Sequence, residues 1–325
     1  MSAQNQKTIT IAATGGTIAT PADYLKENRL TVKELIDKVS SKSEFADITL
    51  QGRDFSSLPS SQLAPEDILQ LKSECEDIVK DGADGVVITH GTDLLEETAF
   101  LLSRLWQREE PLILTGAMRP ADSVGEDGPR NLASACKTAA HPESTGRGPL
   151  VVLNDDIHHA DEVIKSHTWS LDTFVSEHGP AGTIEPLMQP RFLRPKPYRL
   201  TVPTPDKVKN SVFIIQGGLG SGSEIVNGLI SAGADGIVVQ SAGRGSLYKE
   251  LYHSLSEAAA GGTLIAITSR CPFGSTRDAH PGSNLIWTGR YKAPQVRLML
   301  MLCLSLWGKD LKAARDMFNA QRRCV

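Results

Sequence analysis

Short, continuous apolar runs alternate along this chain with stretches in which apolar residues recur every three or four positions. Residues 8–13 and 86–89 are continuous runs, which is typical of strands covered on both faces. Residues 31–39 and 65–79 have the helical spacing and predict amphipathic helices. The same reasoning predicts further strands at 111–115 and 150–153, and helices from 93 to about 107 and from 127 onward. Such alternation predicts a parallel sheet between helices.

A proline-dense stretch interrupts this rhythm and indicates an interdomain linker. Its prolines are Pro190, Pro195, Pro197, Pro203 and Pro205. The alternation then resumes, with predicted strands at 211–216, 236–240 and 264–269, helices at 224–232 and 249–260, and C-terminal helices after them. We therefore predict a two-domain α/β protein. A larger, flavodoxin-like domain with a parallel-rich sheet spans 1–190, a linker spans 191–210, and a smaller α/β domain spans 211–325.

Composition narrows the class of protein. The chain has 325 residues, of which 40% are hydrophobic, and a formal net charge of −4, so neither a nucleic-acid partner nor an anionic membrane surface is expected. The five cysteines are scattered and form no CxxC pair, which argues against a disulfide framework or a cysteine zinc site. Because the first residues contain no apolar signal region, we expect a cytoplasmic protein. The apolar stretch 298–307 is too short to span a bilayer and predicts a buried helix.

Two similar segments occur, one in each predicted domain. Residues 82–89 read GADGVVIT and residues 233–240 read GADGIVVQ, each after an amphipathic helix. Either the chain contains the remnant of a duplication, or both halves use a favoured helix-to-strand turn with glycine near the helix end. The second interpretation is favoured.

Polar residues cluster directly after three predicted strands of the first domain. The clusters are residues 14–17, 89–93 and 115–122. Ligands of open parallel sheets bind beyond the carboxyl ends of the strands. A threonine hydroxyl can attack a carbonyl when a base activates it, and a helix N-terminus favours an oxyanion. Asp93 and Glu96 also have the spacing of a helix capping box, which would give them a purely structural role.

Four segments together resemble the bacterial-type L-asparaginase family over nearly the whole chain, most closely from residue 8 to 165. They are TGGTIAT, VVITHGTDLLEETAFLL, PLILTGAMRPADSVGEDGPRNL and VVLNDDIHHADEVIKS, in that order. The resemblance implies an amidohydrolase that converts L-asparagine to aspartate and ammonia. It further implies a homotetramer built from intimate dimers, with no cofactor and no metal.

The resemblance also implies a role for individual residues. Thr17 matches the nucleophilic threonine and Tyr24 the lid tyrosine that activates it, although the lid is short. Thr92, Asp93 and Lys165 match a proton relay whose aspartate also holds the substrate amino group. The substrate would further meet Gly16, Gly91, Ser60 and Ser61, with the two serines gripping its carboxylate. Sequence alone leaves open whether Thr17 or Thr92 attacks, and Thr17 is favoured.

Two positions in the second half depart from the family pattern. Ser246 stands where relatives have an asparagine, and His280 stands where they have a glutamate that contacts the substrate amino group. Loss of that carboxylate removes a charge-assisted hydrogen bond. An alternative is therefore an amidase retuned to glutamine, D-asparagine or an N-substituted or conjugated amino-acid amide. An alternative of another class is a non-catalytic protein that binds a small amino acid.

Several other polar residues invite competing interpretations. His158 and His159 lie near aspartates, which suggests a metal site, but a solvated polar loop is favoured. His90 is expected to be a partly buried, hydrogen-bonded histidine beside the site. For Arg119, pairing with a carboxylate and holding its loop in place are equally supported.

Overall fold

The computed structural model describes residues 6–23, 29–40, 43–278 and 280–320. These residues form two compact units, Met1–Val202 and Pro203–Val325. Each unit has its own sheet, so the two-domain α/β class expected from the sequence is confirmed. The domain limits of 1–190 and 211–325 stay predictions.

The N-terminal unit is built on an eight-stranded sheet. Its five parallel strands are β1 (Lys7–Ala13), β2 (Ile48–Asp54), β3 (Gly85–Thr89), β4 (Leu112–Thr115) and β5 (Pro149–Leu153), in the order β2-β1-β3-β4-β5. This is the flavodoxin-like order, in which the chain leaves β1 first toward one edge of the sheet and then toward the other. A crevice for ligands is expected at the carboxyl ends of β1 and β3, where that reversal occurs.

Shorter antiparallel strands complete this unit. Strands β6 (Asp156–His159), β9 (Gly182–Glu185) and β10 (Gln189–Phe192) extend the sheet beyond β5, while β7 (Val163–Lys165) and β8 (Phe174–Ser176) form a separate two-stranded ribbon. The α-helices that the structure describes in this unit are α1 (Val32–Ser40), α2 (Pro65–Lys80), α3 (Leu95–Leu105) and α4 (Gly128–Ala140). Side chains of β1, β3, β4 and β5 are almost wholly buried, as the continuous apolar runs predict.

The C-terminal unit has a four-stranded parallel sheet. Its strands are β11 (Val212–Gln216), β12 (Gly236–Ser241), β13 (Leu264–Ser269) and β14 (Ile286–Trp287), in that spatial order. The helices are α5 (Glu224–Ser231), α6 (Lys249–Ala260), α7 (Ala293–Trp307) and α8 (Leu311–Ala320). Helix α7 contains the apolar stretch 298–307 and buries most of it, which confirms the buried helix. No helix within the described ranges is long and apolar enough to cross a membrane.

One local expectation is wrong. The sequence spacing predicted a capping box between Asp93 and Glu96, but α3 begins at Leu95, and the residue before it, Leu94, makes no side-chain capping bond. Asp93 and Glu96 both bind Lys165 instead. The two carboxylates therefore take part in a tertiary contact rather than in closing the end of their own helix.

Candidate active site

The loop after β1 turns sharply on two glycines. Gly15 and Gly16 have φ of 88° and 90°, a left-handed conformation that L side chains rarely adopt. Thr17 follows and opens a short 3-10 helix, Thr17–Ala19, with its side chain half-buried. The turn thus presents the hydroxyl of Thr17 at the carboxyl end of the sheet, within reach of a small molecule.

The loop after β3 lies directly against this turn. A methyl group placed on Gly16 would lie 2.6 Å from the amide nitrogen of Gly91, so the two backbones are in contact. Thr17 and Thr92 are each one peptide bond beyond that contact. The structure therefore brings the two threonines of the expected site to the same place, at the point where the strand order reverses.

The two candidate serines differ in exposure and in contacts. Ser60 is 4% exposed, its hydroxyl accepts a hydrogen bond from Leu94 N at 3.4 Å, and it packs so tightly on Gly91 that a methyl group there would lie 2.7 Å from Ser60 Oγ. Ser61 is exposed. Ser60 therefore supports the loop, and Ser61 remains available for a substrate.

Lys165 joins this cluster from the β7–β8 ribbon. Its ammonium donates to Thr92 Oγ1 at 3.0 Å and to Asp93 Oδ1 at 2.9 Å. The Lys165 side chain is 13% exposed, whereas that of Asp93 is 76% exposed. An open carboxylate next to a sheltered ammonium and a buried hydroxyl can bind an amine from solvent while the lysine handles protons behind it.

Glu96 is a partner of Lys165 that the sequence reasoning missed. Its carboxylate accepts the backbone N–H of Lys165 at 2.5 Å. Burial raises the pKa of Glu96 to about 7, an effect that the hydrogen bond from Lys165 partly opposes. The sequence shows a glutamate near the start of a predicted helix, but its spacing from Asp93 led us to interpret it as part of a capping box.

His90 fixes the orientation of the peptide bond before Thr92. The ring is fully buried, and burial lowers its pKa to about 4, so it is neutral near pH 7. Nδ1 donates to Gly91 O at 2.7 Å and Nε2 accepts from Thr98 Oγ1 at 3.0 Å, as expected for a hydrogen-bonded histidine, although it is fully rather than partly buried. Because C=O and N–H point in opposite directions across a trans peptide, the Thr92 N–H points away from the buried ring.

The loop after β4 is held by two polar residues to which the sequence reasoning gave no role. Asp127 accepts the backbone N–H groups of Met118 and Arg119 at 2.9 Å each, and Asn131 donates to Gly116 O at 3.0 Å. Both belong to the quoted segment GEDGPRNL. They act as supports that keep the third polar cluster beside the first two.

The remaining expected residues lie elsewhere. Tyr24 lies outside the described residues. Ser246 and His280 belong to the C-terminal unit. Ser246 is exposed in a tight turn that pairs with Ala242, and His280 lies over the Tyr252 ring with a centroid distance of 4.4 Å.

The structure decides between the competing interpretations of the other polar residues. His158 and His159 are 1% and 2% exposed in β6, so the expected solvated loop is wrong. No group of three or more His, Cys, Asp or Glu residues suited to a metal occurs in the described part of the chain. Arg119 donates to Gly125 O at 2.7 Å, which is the loop-holding alternative.

Comparison with known sequences gives a consistent result over both units. The family model for the N-terminal asparaginase domain matches residues 8–195, and the model for the glutaminase/asparaginase C-terminal domain matches residues 211–318. L-asparaginase 2 of Escherichia coli is 33% identical over 96% of this chain and 92% of that protein. A glutaminase-asparaginase of Acinetobacter glutaminasificans is 31% identical over 95% of this chain and 98% of that protein.

A solved structure agrees in fold over almost the same span. The crystal structure of a probable cytoplasmic L-asparaginase from Campylobacter jejuni superimposes with a TM-score of 0.87 at 29% sequence identity. The match covers 96% of this chain and 99% of that one. The similarity therefore includes both compact units and their connection along the sequence.

Proposed function

Because the chain belongs to the asparaginase family of amidohydrolases, we propose that it hydrolyses the side-chain amide of L-asparagine to aspartate and ammonia, with Thr17 as the nucleophile. The observation that supports this most strongly is the contact between the Gly16 and Gly91 turns. It sets Thr17 beside a Thr92–Asp93–Lys165 cluster joined by hydrogen bonds of 2.9 and 3.0 Å.

The proposed first half-reaction forms an ester on Thr17. Its hydroxyl oxygen attacks the side-chain amide carbon, and the hydroxyl proton passes by way of the Thr92 hydroxyl to the amide nitrogen that will leave, while the Lys165 ammonium stabilises the charge that develops on Thr92 Oγ1. The outward-pointing N–H of Thr92 stabilises the oxyanion. The C–N bond then breaks, and nitrogen leaves as ammonia after taking up a proton.

The second half-reaction restores the enzyme. Water attacks the ester carbon, a proton of that water returns to Thr17 Oγ as the ester C–O bond breaks, and aspartate is released. The same hydrogen-bond donors stabilise the second oxyanion because the reacting carbon stays in place. A threonine that forms and loses an ester in turn needs an open approach for water, which the half-buried position of Thr17 permits.

We assign recognition of the substrate backbone to Asp93 and Ser61. Asp93 is the exposed carboxylate of the cluster and would pair with the substrate ammonium. Ser61 is the exposed serine of its pair and would donate to the substrate carboxylate. Ser61→Ala is therefore expected to raise KM about tenfold with a smaller effect on kcat, whereas Ser60→Ala is expected to act on protein stability.

A retuned substrate preference has a specific observation in its favour. The His280 ring packs against the Tyr252 ring, with centroids 4.4 Å apart and planes tilted by 38°, at a position where the family pattern has a glutamate. We propose that the amino group of the substrate is recognised differently here than in relatives that keep the glutamate. The family pattern also leads us to propose a homotetramer of intimate dimers, which sedimentation would test.

Ammonia release from a panel of amides tests this function. The panel contains L-asparagine, D-asparagine, L-glutamine, and amides in which the α-amino group is absent or substituted. Preference for L-asparagine supports the proposed reaction, and preference for a substituted amide supports a retuned amidase. Absence of turnover on the whole panel, with binding retained, would instead support the amino-acid-binding alternative.

A further inference from the structure

Lys165 lies on the β7–β8 ribbon, which is separate from the eight-stranded sheet. Among the described strands, β7, which ends at Lys165, pairs with β8 alone in a two-stranded ribbon, whereas the loops of Thr17 and Thr92 extend from the eight-stranded sheet. An ammonium on a separate ribbon needs a tether if its distance to Thr92 is to stay fixed, because a shift of about 1 Å in a reacting group can cost 100-fold in rate.

Contacts from one short segment hold Lys165 at both of its ends. The ammonium donates to Thr92 and Asp93, and the backbone N–H donates to the carboxylate of Glu96 at 2.5 Å. All three acceptors lie within residues 92–96, at the junction of the β3 loop and α3. The start of α3 thus holds both the backbone of Lys165 and the ammonium at the end of its side chain.

We propose that Glu96 is a positioning residue, which fixes Lys165 against Thr92 by accepting the backbone N–H at the end of β7. It does not contact the substrate, and its effect on the reaction passes through Lys165. The inference rests on the proposed function only for its kinetic consequence. Its structural consequence, the place of the lysine ammonium, can be measured without turnover.

Two substitutions separate the hydrogen bond from the charge. Glu96→Met keeps the length of the side chain but removes the acceptor, so kcat is expected to fall about 10-fold to 100-fold while KM changes less than about twofold. Glu96→Gln keeps an oxygen acceptor and is expected to stay within about threefold of wild type. Glu97→Gln is the matched control, since it removes a carboxylate one residue along, about 100° around the helix.

The experiment combines kinetics on L-asparagine with crystal structures of wild type, Glu96→Met and Glu96→Gln. The expected result is a longer Lys165 Nζ–Thr92 Oγ1 separation in Glu96→Met, with recovery of both the separation and kcat in Glu96→Gln. A separation unchanged from 3.0 Å in Glu96→Met would overturn the proposal whether or not the protein turns over asparagine. An altered separation with unchanged kcat would equally overturn it. If wild type did not hydrolyse L-asparagine but Glu96→Met still showed the longer Lys165–Thr92 separation, the proposed substrate would be rejected and the positioning role of Glu96 would be supported.

Discussion

The two compact units contain the same turn into a buried strand, and this turn forms the same contacts in both. In the N-terminal unit, Asp84 N donates to Thr8 O at 2.8 Å, and in the C-terminal unit, Asp235 N donates to Ser211 O at 3.0 Å. Each following glycine pairs with the next residue of the neighbouring strand, in the same register. The repeated GADG sequence therefore specifies how a helix leads into a parallel strand.

The equivalence continues to the far end of these strands. Thr14 N donates to Thr89 O at 3.1 Å, and Gly217 N donates to Gln240 O at 2.9 Å. In both units the first residue beyond one strand, β1 or β11, stays attached to the neighbouring strand, β3 or β12. Two regions with different sequences thus share one backbone arrangement up to the edge where ligands bind in such sheets.

Beyond that edge the units differ. Counting along the sequence from the equivalent residues, Gly220 corresponds to Thr17, and Gly243 corresponds to Thr92. The C-terminal unit therefore has the strand arrangement of the site without its hydroxyl groups. The strands therefore position the loops in the same way in both units, whereas the chemistry depends on a few side chains in the loops.

Removal of the Thr17 hydroxyl should have the largest effect. Thr17→Ala is expected to lower kcat for ammonia release at least about 1,000-fold, because the nucleophile is lost. Thr17→Ser keeps a hydroxyl and should retain most of the activity that the alanine variant loses. Equal activity in the alanine and serine variants would show that the reaction does not need the Thr17 hydroxyl. The hydroxyl would then not explain the difference between the N-terminal loop and its C-terminal counterpart.

Neutralisation of Lys165 should come next. Lys165→Met is expected to lower kcat about 100-fold to 10,000-fold, since it removes the proton-handling group beside Thr92. Lys80→Met removes a cation from an exposed ion pair with Asp77 and serves as the control, with kcat unchanged. Loss of activity in both variants would point to a general effect of charge.

A methyl group on Gly16 tests the contact between the two turns. Gly16→Ala must adopt a φ of 90° and meet the Gly91 backbone at 2.6 Å, so a cost of about 1–3 kcal/mol in stability is expected from the conformation alone. Its counterpart in the C-terminal unit, Leu219, is fully exposed, and Leu219→Ala should change stability by less than about 0.5 kcal/mol. Thermal unfolding measures the stability of both variants. Equal shifts in Tm would show that the Gly16 turn is no more constrained than its C-terminal counterpart.

The shared turn predicts the smallest effect and a common pH dependence. Burial opposes ionisation of Asp84, but hydrogen bonds from Lys7 and Thr8 outweigh it and lower its pKa; a hydrogen bond from Lys309 lowers that of Asp235. Both carboxylates therefore stabilise the folded state above the unfolded value of 3.8, and the contribution is lost as the pH falls through the lower folded pKa.

The matching substitutions are Asp84→Asn and Asp235→Asn. Each should reduce stability by less than about 1 kcal/mol at pH 7, because the ion pairs are partly exposed. The difference from wild type should shrink below pH 3.8. Denaturant unfolding across this range measures it, and a large loss from only one of the two variants would show that the turns are not equivalent.

Apart from β2 and β14, the parallel strands were predictable because they are continuous apolar runs; β2, which reads ITLQGRD, was missed because its second half is polar and exposed, and β14 has only two residues. The sequence predicted a strand at 86–89 and a helix at 249–260, and the structure has β3 at Gly85–Thr89 and α6 at Lys249–Ala260. The antiparallel strands were missed because each has only three or four residues, too few to show a pattern. Strand β6 reads DIHH, and its two histidines are buried by neighbouring elements rather than by their own hydrophobicity.

The place of the candidate site was predictable from local sequence, and Lys165 was added to it by the family resemblance. Thr17 and Thr92 follow apolar strands, so their place at the sheet edge follows from the strand pattern. The partner of Glu96 did not follow, because Lys165 is 69 residues away and reaches it through a ribbon outside the main sheet. The local spacing of Asp93 and Glu96 favoured a helix cap, but in the structure Glu96 accepts a hydrogen bond from Lys165.

The most direct test is the position of the acyl group during turnover. Wild-type protein is mixed with L-asparagine, quenched in acid within the first turnovers, digested, and mapped by mass spectrometry. The expected result is an aspartyl ester on Thr17, in the peptide that contains the Gly15–Gly16 turn. An ester on Thr92 instead, or ammonia release at an unchanged rate by Thr17→Ala, would contradict the assignment of the nucleophile.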